Sequence, residues 1–205
     1  RPLTNNRPKC MVEVAGTPIF DRILKVAKNL GISEIIAVTG YCSKSLERYG
    51  VKLIYNPRYA ETNMVKSLFQ AQDYFGDQFI LSYGDIFYDT EVLSKLISCH
   101  SDISVVVDEC WHNYWKKRFK NPLDDAERLN IINNKITRIG GSANSLDEIH
   151  AQYIGLLSFK NTGIKMLNEA YEKAQQDEKE GKLQFGDAKN VDTMYMTDLL
   201  QGMAD

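Results

Sequence analysis

An excess of one charge is missing from this sequence. Its 205 residues carry 25 Lys and Arg against 27 Asp and Glu, a formal net charge of −2. The two signs are mixed, so there is no broad electrostatic footprint for nucleic acid. That balance still leaves room for a local basic pocket that meets phosphates. Long apolar runs are also missing. None approaches the roughly 20 residues of a membrane-spanning helix, and no secretory signal pattern is visible. Neither nucleic acid nor membrane is therefore expected as a partner. Cysteine is scarce. Cys10, Cys42, Cys99 and Cys110 show neither metal-ligand spacing nor a dense framework. They read as reduced thiols of a cytoplasmic protein. His100, His112 and His150 lack metal spacing and read as surface or helix-end residues. No repeat or low-complexity tract occurs. The 43% of hydrophobic residues suffices for the core of one domain.

Strand and helix patterns alternate from Met11 to Asp108. Met11–Val14 alternates like a strand, and Thr17-Pro18 follows a turn as helix cap and first helical residue. Ile19, Ile23, Leu24, Val26, Ala27 and Leu30 form a helical stripe closed by Gly31. Strands are predicted at 34–39 and 51–55, a short helix at 43–49, and a helix from Asn63 to Phe75. A strand ends at Asp85, a helix covers 90–100, and a strand covers 103–108. Such alternation predicts an α/β fold with a mostly parallel, Rossmann-like sheet sandwiched by helices. A hairpin follows at 126–139, turning at Asn133-Asn134. A strand at 151–159, a long helix from Ile164 and a short helix at 197–203 complete the chain.

Two stretches carry candidate chemistry. Phe79-Ile80-Leu81 runs into Ser82-Tyr83-Gly84-Asp85, which places a carboxylate beyond the end of a buried strand, where open α/β sheets bind ligands. With Asp89 it has the oxygen ligands that a hard cation takes. Taken alone, Gly84-Asp85 reads first as a strand-ending turn. Arg7-Pro8-Lys9 offers two cations on a proline-stiffened loop, suited to phosphate oxygens or simply solvated.

The opening Pro2-Leu3-Thr4-x-x-Arg7-Pro8-Lys9, continuing through Gly16-x-Pro18-Ile19, resembles the start of the nucleotidyltransferases that couple NTPs to phosphoesters. Asn56-Pro57-x-Tyr59-x-x-Thr62-Asn63-x-x-x-Ser67 and Asp108-x-x-Trp111-x-x-x-Trp115-x-x-Arg118 resemble the phosphocholine and aminophosphonate cytidylyltransferase branch. So do Asp125-Ala126-Glu127 and Tyr195–Gln201. The resemblance implies Mg²⁺-dependent transfer of CMP from CTP, or another NTP, to a small phosphoester or phosphonate, with release of pyrophosphate. It implies catalytic roles for Lys9 and Asp85, with Asp85 holding the metal. Lys9, Tyr41, Asn63, Ser67 and Gly84 would meet the nucleotide. Asp108, Trp111, Trp115, Arg118, Gln152 and Tyr153 would meet the acceptor.

One nucleotidyltransferase domain is expected over 1–205, with residues 109–160 as a substrate lobe and a homodimer as a possible assembly. The family's glycine-rich loop is expected before Arg1, and a strand with a second metal carboxylate after Asp205. Trp111, Tyr114 and Trp115 suit a cation–π cage, or equally an aromatic cluster in a core or interface. Gln152 stands where relatives often carry Glu, which favours a zwitterionic or neutral acceptor such as an amino-acid phosphate. Cys10 is assigned no nucleophilic role. A sugar-1-phosphate nucleotidyltransferase and a non-catalytic nucleotide-binding module are the rival readings.

Overall fold

The computed structural model describes residues 3–205, so Arg1 and Pro2 of the opening motif lie outside the described residues. Lys9–Met11 form a 3-10 turn where a strand is predicted, with the Met11 N–H donating to the Pro8 carbonyl at 3.0 Å. Met11 anchors the turn by burying against Phe20 and Leu46. The strand shrinks to β1 (Glu13–Val14), paired antiparallel with β2 (Thr17–Pro18). Ala15 and Gly16 between them have φ of 50° and 72°, as a two-residue type I′ turn requires. Thr17 is therefore a strand residue and not a helix cap. Pro18 takes the cap position of α1 (Ile19–Asn29). Gly31 does close that helix. The Ile32 N–H donates to Ala27 and the Gly31 N–H to Lys28, both at 3.0 Å, the Schellman pattern.

β3 (Ile36–Thr39) and β4 (Lys52–Tyr55) pair in parallel, Ile36 opposite Lys52 and Thr39 opposite Tyr55. The helix predicted over Asn63–Phe75 is broken into α2 (Met64–Phe69) and a 3-10 turn at Gln72–Tyr74. On an unbroken helix, residues six apart point about 120° away from each other. The break lets Phe69 and Phe75 bury together, their rings 5.8 Å apart.

β5 (Gln78–Ser82), α3 (Thr90–Ser98) and β6 (Ile103–Asp108) follow. β5 and β6 run the same way but do not pair. β9 (Gln152–Lys160) lies between them, antiparallel to both. The α/β class with helices on both faces is as expected; β3 and β4 form a parallel pair, while both pairings in the separate β5–β9–β6 sheet are antiparallel, so the strand pairings are not mostly parallel. Along β9, Leu157 and Phe159 face a core shared with α2, α5 (Thr162–Lys179) and α6 (Met196–Ala204). Leu156 points the other way, toward Val26, Leu93 and Leu96 of α1 and α3. This is the period-two alternation of a strand covered on both sides.

Between β6 and β9 the chain forms α4 (Trp111–Arg118) and the hairpin of β7 (Glu127–Ile132) and β8 (Lys135–Ser142). Asn133 and Asn134, at φ 51° and 58°, make the expected turn. Among the described residues no helix is long and apolar enough to cross a membrane.

Candidate active site

Lys9 and Asp85 meet beyond the end of β5, Nζ to Oδ2 at 3.2 Å, although 76 residues separate them in sequence. The Lys9 side chain is 74% exposed and that of Asp85 39%. An ion pair so open to water contributes about 0–1 kcal/mol to stability, so the fold does not depend on it. Gly84 lies where the two segments touch. A Cβ at that position would lie 3.4 Å from the Cys10 Cβ, so the Lys9–Met11 turn rests against this strand end. Burial, more than the Asp85 charge, pushes the Cys10 thiol up to about 11. It stays protonated at neutral pH, in keeping with its having no nucleophilic role.

Asp89 does not join Asp85. Its Oδ1 accepts the Val92 N–H at 2.9 Å and caps α3. Among the described residues no group of three potential metal-ligating side chains occurs. A single open carboxylate fits a magnesium-type ion, which takes one or two protein oxygens and completes its shell with phosphate oxygens and water. It does not fit a structural zinc site, which needs four protein ligands.

Tyr83 connects this strand end to a second feature. Burial first, then the Glu127 and Asp85 charges, push its hydroxyl up to about 12. Tyr83 thus lies within electrostatic reach of both carboxylates. Its ring meets Tyr153 edge to face at 5.8 Å, and burial raises the Tyr153 hydroxyl well above its ordinary value. Beyond Glu127 opens a cleft of about 270 Å³, lined by Asp125, Glu127, Gly141, Asp187, Tyr195 and Thr197 among others. Burial and then the Asp198 charge raise the Glu127 carboxyl. Asp198 itself is structural, accepting the Asp187 and Tyr195 N–H groups at 2.9 and 3.0 Å. Asp187 and Tyr83 were not singled out from the sequence. Gly155 was the available signal for Tyr83, since a glycine inside a strand marks close approach. A Cβ there would sit 2.4 Å from the Tyr83 ring.

Other expected site residues have structural duties. Trp111 is 4% exposed, in a cluster with Ala126, Ala143 and Ile149. It is a core residue, not a wall of an open cage. Gln152 is 4% exposed. Its Nε2 donates to the Glu127 carbonyl at 2.8 Å and its Oε1 accepts the Glu127 N–H at 3.2 Å. Those bonds dock β7 onto β9 and leave the amide engaged. Asn63 gives its side-chain N–H to Thr193 at 3.2 Å, and its backbone N–H to Asp192 at 2.9 Å. Ser67 accepts from the buried Asn56 amide at 3.2 Å. The Tyr41 hydroxyl donates to the Asn5 carbonyl. Asp108 accepts the Cys110 N–H at 2.8 Å, an Asx turn that starts α4. Trp115 remains partly open. Its Nε1–H donates to Asp125 at 3.0 Å, and the Arg118 guanidinium stands 5.3 Å from its ring centroid.

Lys9 and Asp85 at the strand end can meet phosphate oxygens and a divalent ion, and Tyr83 links them to the acidic cleft beyond Glu127. Residues 4–130 match the MobA-like NTP transferase domain, and the chain belongs to that family. It is 38% identical to the CTP:phosphoglutamine cytidylyltransferase of Campylobacter jejuni, over all of this chain and 83% of that one. It is 31% identical to the choline-phosphate cytidylyltransferase of Haemophilus influenzae, over 55% of this chain and 49% of that one. The inositol-1-phosphate CTP transferase of T. maritima superposes with a TM-score of 0.69 at 16% identity, covering 98% of this chain and 74% of that one. That likeness concerns the fold alone.

Proposed function

We propose that the protein is a CTP-dependent cytidylyltransferase whose acceptor is a small phosphorylated metabolite of the phospho-amino-acid type, phosphoglutamine first. The observation that carries this reading is the Lys9–Asp85 pair, exposed at the end of β5 and dispensable for stability. The full-length similarity to a phosphoglutamine enzyme supports the choice of acceptor.

In the proposed reaction a phosphoryl oxygen of the acceptor attacks the α-phosphorus of CTP. The bond from that phosphorus to the bridging oxygen breaks, and pyrophosphate leaves. Such chemistry asks the protein for in-line positioning and charge neutralisation more than for proton transfer. Lys9 supplies a cation and three donors to phosphate oxygens. Asp85 would hold Mg²⁺, which supplies charge neutralisation across the phosphates when bound. The Glu127 cleft, between the proposed substrate lobe of residues 109–160 and the segment from Asp187 to Asp198, presents carboxylates suited to the amino end of the acceptor. Four free cysteines agree with a cytoplasmic setting.

The test is pyrophosphate release by the full-length protein with Mg²⁺, each NTP in turn, and a panel of acceptors. The panel is phosphoglutamine, phosphocholine, phosphoethanolamine, 2-aminoethylphosphonate and hexose 1-phosphates. Release with CTP and phosphoglutamine supports the reading, whereas release with CTP and only the other amine-bearing acceptors keeps cytidylyl transfer but overturns the phospho-amino-acid acceptor. Release only with a hexose 1-phosphate and UTP or dTTP overturns it in favour of a sugar-nucleotide enzyme. No release with any pair favours a non-catalytic module.

A further inference from the structure

With Trp111 buried, the aromatic surface that α4 offers to solvent consists of Tyr114, 56% exposed, and the partly open Trp115. That surface is already covered by a cation. The Arg118 guanidinium carbon lies 5.3 Å from the Tyr114 centroid, 5.3 Å from that of Trp115 and 5.0 Å from that of Phe119. Each distance is within cation–π range. Three rings flank the solvent-exposed guanidinium, while its N–H donors make no hydrogen bond or ion pair to any described residue. A planar fork of donors, left unspent, matches a carboxylate. A quaternary ammonium on the same rings would have to displace Arg118 or sit beside a like charge. Opposite Arg118, at the edge of the same indole, the Asp125 carboxylate holds Trp115 Nε1 and lines the acidic cleft. One indole thus carries a cation on its face and an anion at its edge, the two charges of an amino-acid zwitterion in mirror image.

We propose that Arg118 is a specificity-determining residue that binds a carboxylate on the acceptor and disfavours acceptors bearing a quaternary ammonium. This rests on the cytidylyl-transfer reading above, and it goes further in naming the group recognised and the residue that reads it.

Phosphoserine and phosphoethanolamine differ by one carboxylate, so they isolate the interaction. Initial rates of pyrophosphate release are measured for the full-length wild-type protein and for Arg118→Gln with both acceptors and with phosphocholine. Wild type is expected to favour phosphoserine over phosphoethanolamine in kcat/KM by about tenfold or more, the scale of one charge-assisted pair. Arg118→Gln collapses that ratio toward unity through the KM of phosphoserine, and phosphocholine gains relative to phosphoserine. Arg118→Lys, which keeps the charge but loses the fork, recovers only part of the ratio. Equal losses for phosphoserine and phosphoethanolamine place Arg118 on the shared phosphoryl group and overturn the proposal. So does a wild-type preference for phosphocholine. If no acceptor is turned over, the cytidylyl-transfer reading fails separately. Tryptophan fluorescence then decides the Arg118 claim. In a Trp111→Phe background, which leaves Trp115 as the one tryptophan, a response to phosphoserine that is weaker with phosphoethanolamine and lost on adding Arg118→Gln supports it, and equal or absent responses overturn it.

Discussion

Lys9 and Trp111 respond to substitution in opposite ways, because one faces water and the other does not. Lys9→Met removes an exposed partner worth about 0–1 kcal/mol. It is expected to leave the melting temperature within about 3 °C of wild type while lowering the transfer rate by about 100-fold or more, as loss of one charge-stabilising donor does. Thermal unfolding and steady-state rates on the same preparation check both parts. Trp111→Ala empties a buried site in the cluster with Ala126 and Ile149. A cost of about 3–5 kcal/mol is expected, read by chemical denaturation. An acceptor KM that rises with no loss of stability contradicts the core assignment. Residue type alone did not separate these roles. The sequence showed aromatics grouped at 111–115, and a group of aromatics is compatible with either cage or core. Only the fold shows that Trp111 is buried in that cluster while Trp115, one turn further along the same helix face, packs at its partly open edge. Gln152 was misleading for a similar reason, since its partners are the backbone groups of Glu127, and no side-chain motif reports a backbone partner.

At the scale of elements, local signals were legible and long-range order was not. The Asn133-Asn134 turn, the Gly31 stop and the long α5 helix follow from turn and capping chemistry contained within a few residues. The direction of β9 does not. A strand buried on both faces has the same pattern whichever way it runs, so its antiparallel insertion between β5 and β6 had no signature. Gly155 of β9 shows what that insertion does for the site. It has φ +82°, and a Cβ there would approach the Tyr83 ring to 2.4 Å. Tyr83 stands two residues before Asp85, and its backbone N–H donates to the Gly155 carbonyl at 2.8 Å. Gly155→Val is expected to cost at least about 1–2 kcal/mol from the left-handed backbone alone, and to lower kcat by displacing Tyr83 and with it the Asp85 turn. Thermal unfolding and kcat measure the two effects, and a variant with wild-type stability and rate contradicts the close packing described.

The whole molecule joins two chemically different halves across Tyr83, the Lys9–Asp85 strand end on one side and the acidic cleft of Glu127 on the other. A strap connects the cleft to α2 as well. Asp192 pairs with Arg58 at 2.8 Å and Lys66 at 3.4 Å, and the next residue, Thr193, accepts from Asn63. Burial opposes the Asp192 charge, but the two cations outweigh it and hold the carboxyl below its ordinary value. Among the described residues Glu127 has no such cation. Its carboxyl is raised by burial and by Asp198, with Asp125 and Asp187 adding in the same direction. A raised carboxyl favours the folded state when protonated, so its contribution is present at acid pH and is lost as pH rises through the folded-state value. Glu127→Gln removes that loss. It is expected to melt higher than wild type at about pH 7 and to converge with it below about pH 4, where the free carboxyl is protonated. A melting temperature that falls at neutral pH contradicts this assignment.

The central claim is that the Lys9–Asp85 pair serves nucleotidyl transfer and not the fold. The most direct test incubates full-length wild type and Asp85→Asn with CTP, Mg²⁺ and phosphoglutamine, and detects the CMP-linked product by mass spectrometry, with a melting curve on each protein. The account expects product from wild type, at least about 100-fold less from Asp85→Asn, and melting temperatures within about 3 °C of each other. Undiminished product from Asp85→Asn would remove Asp85 from the chemistry and contradict the account.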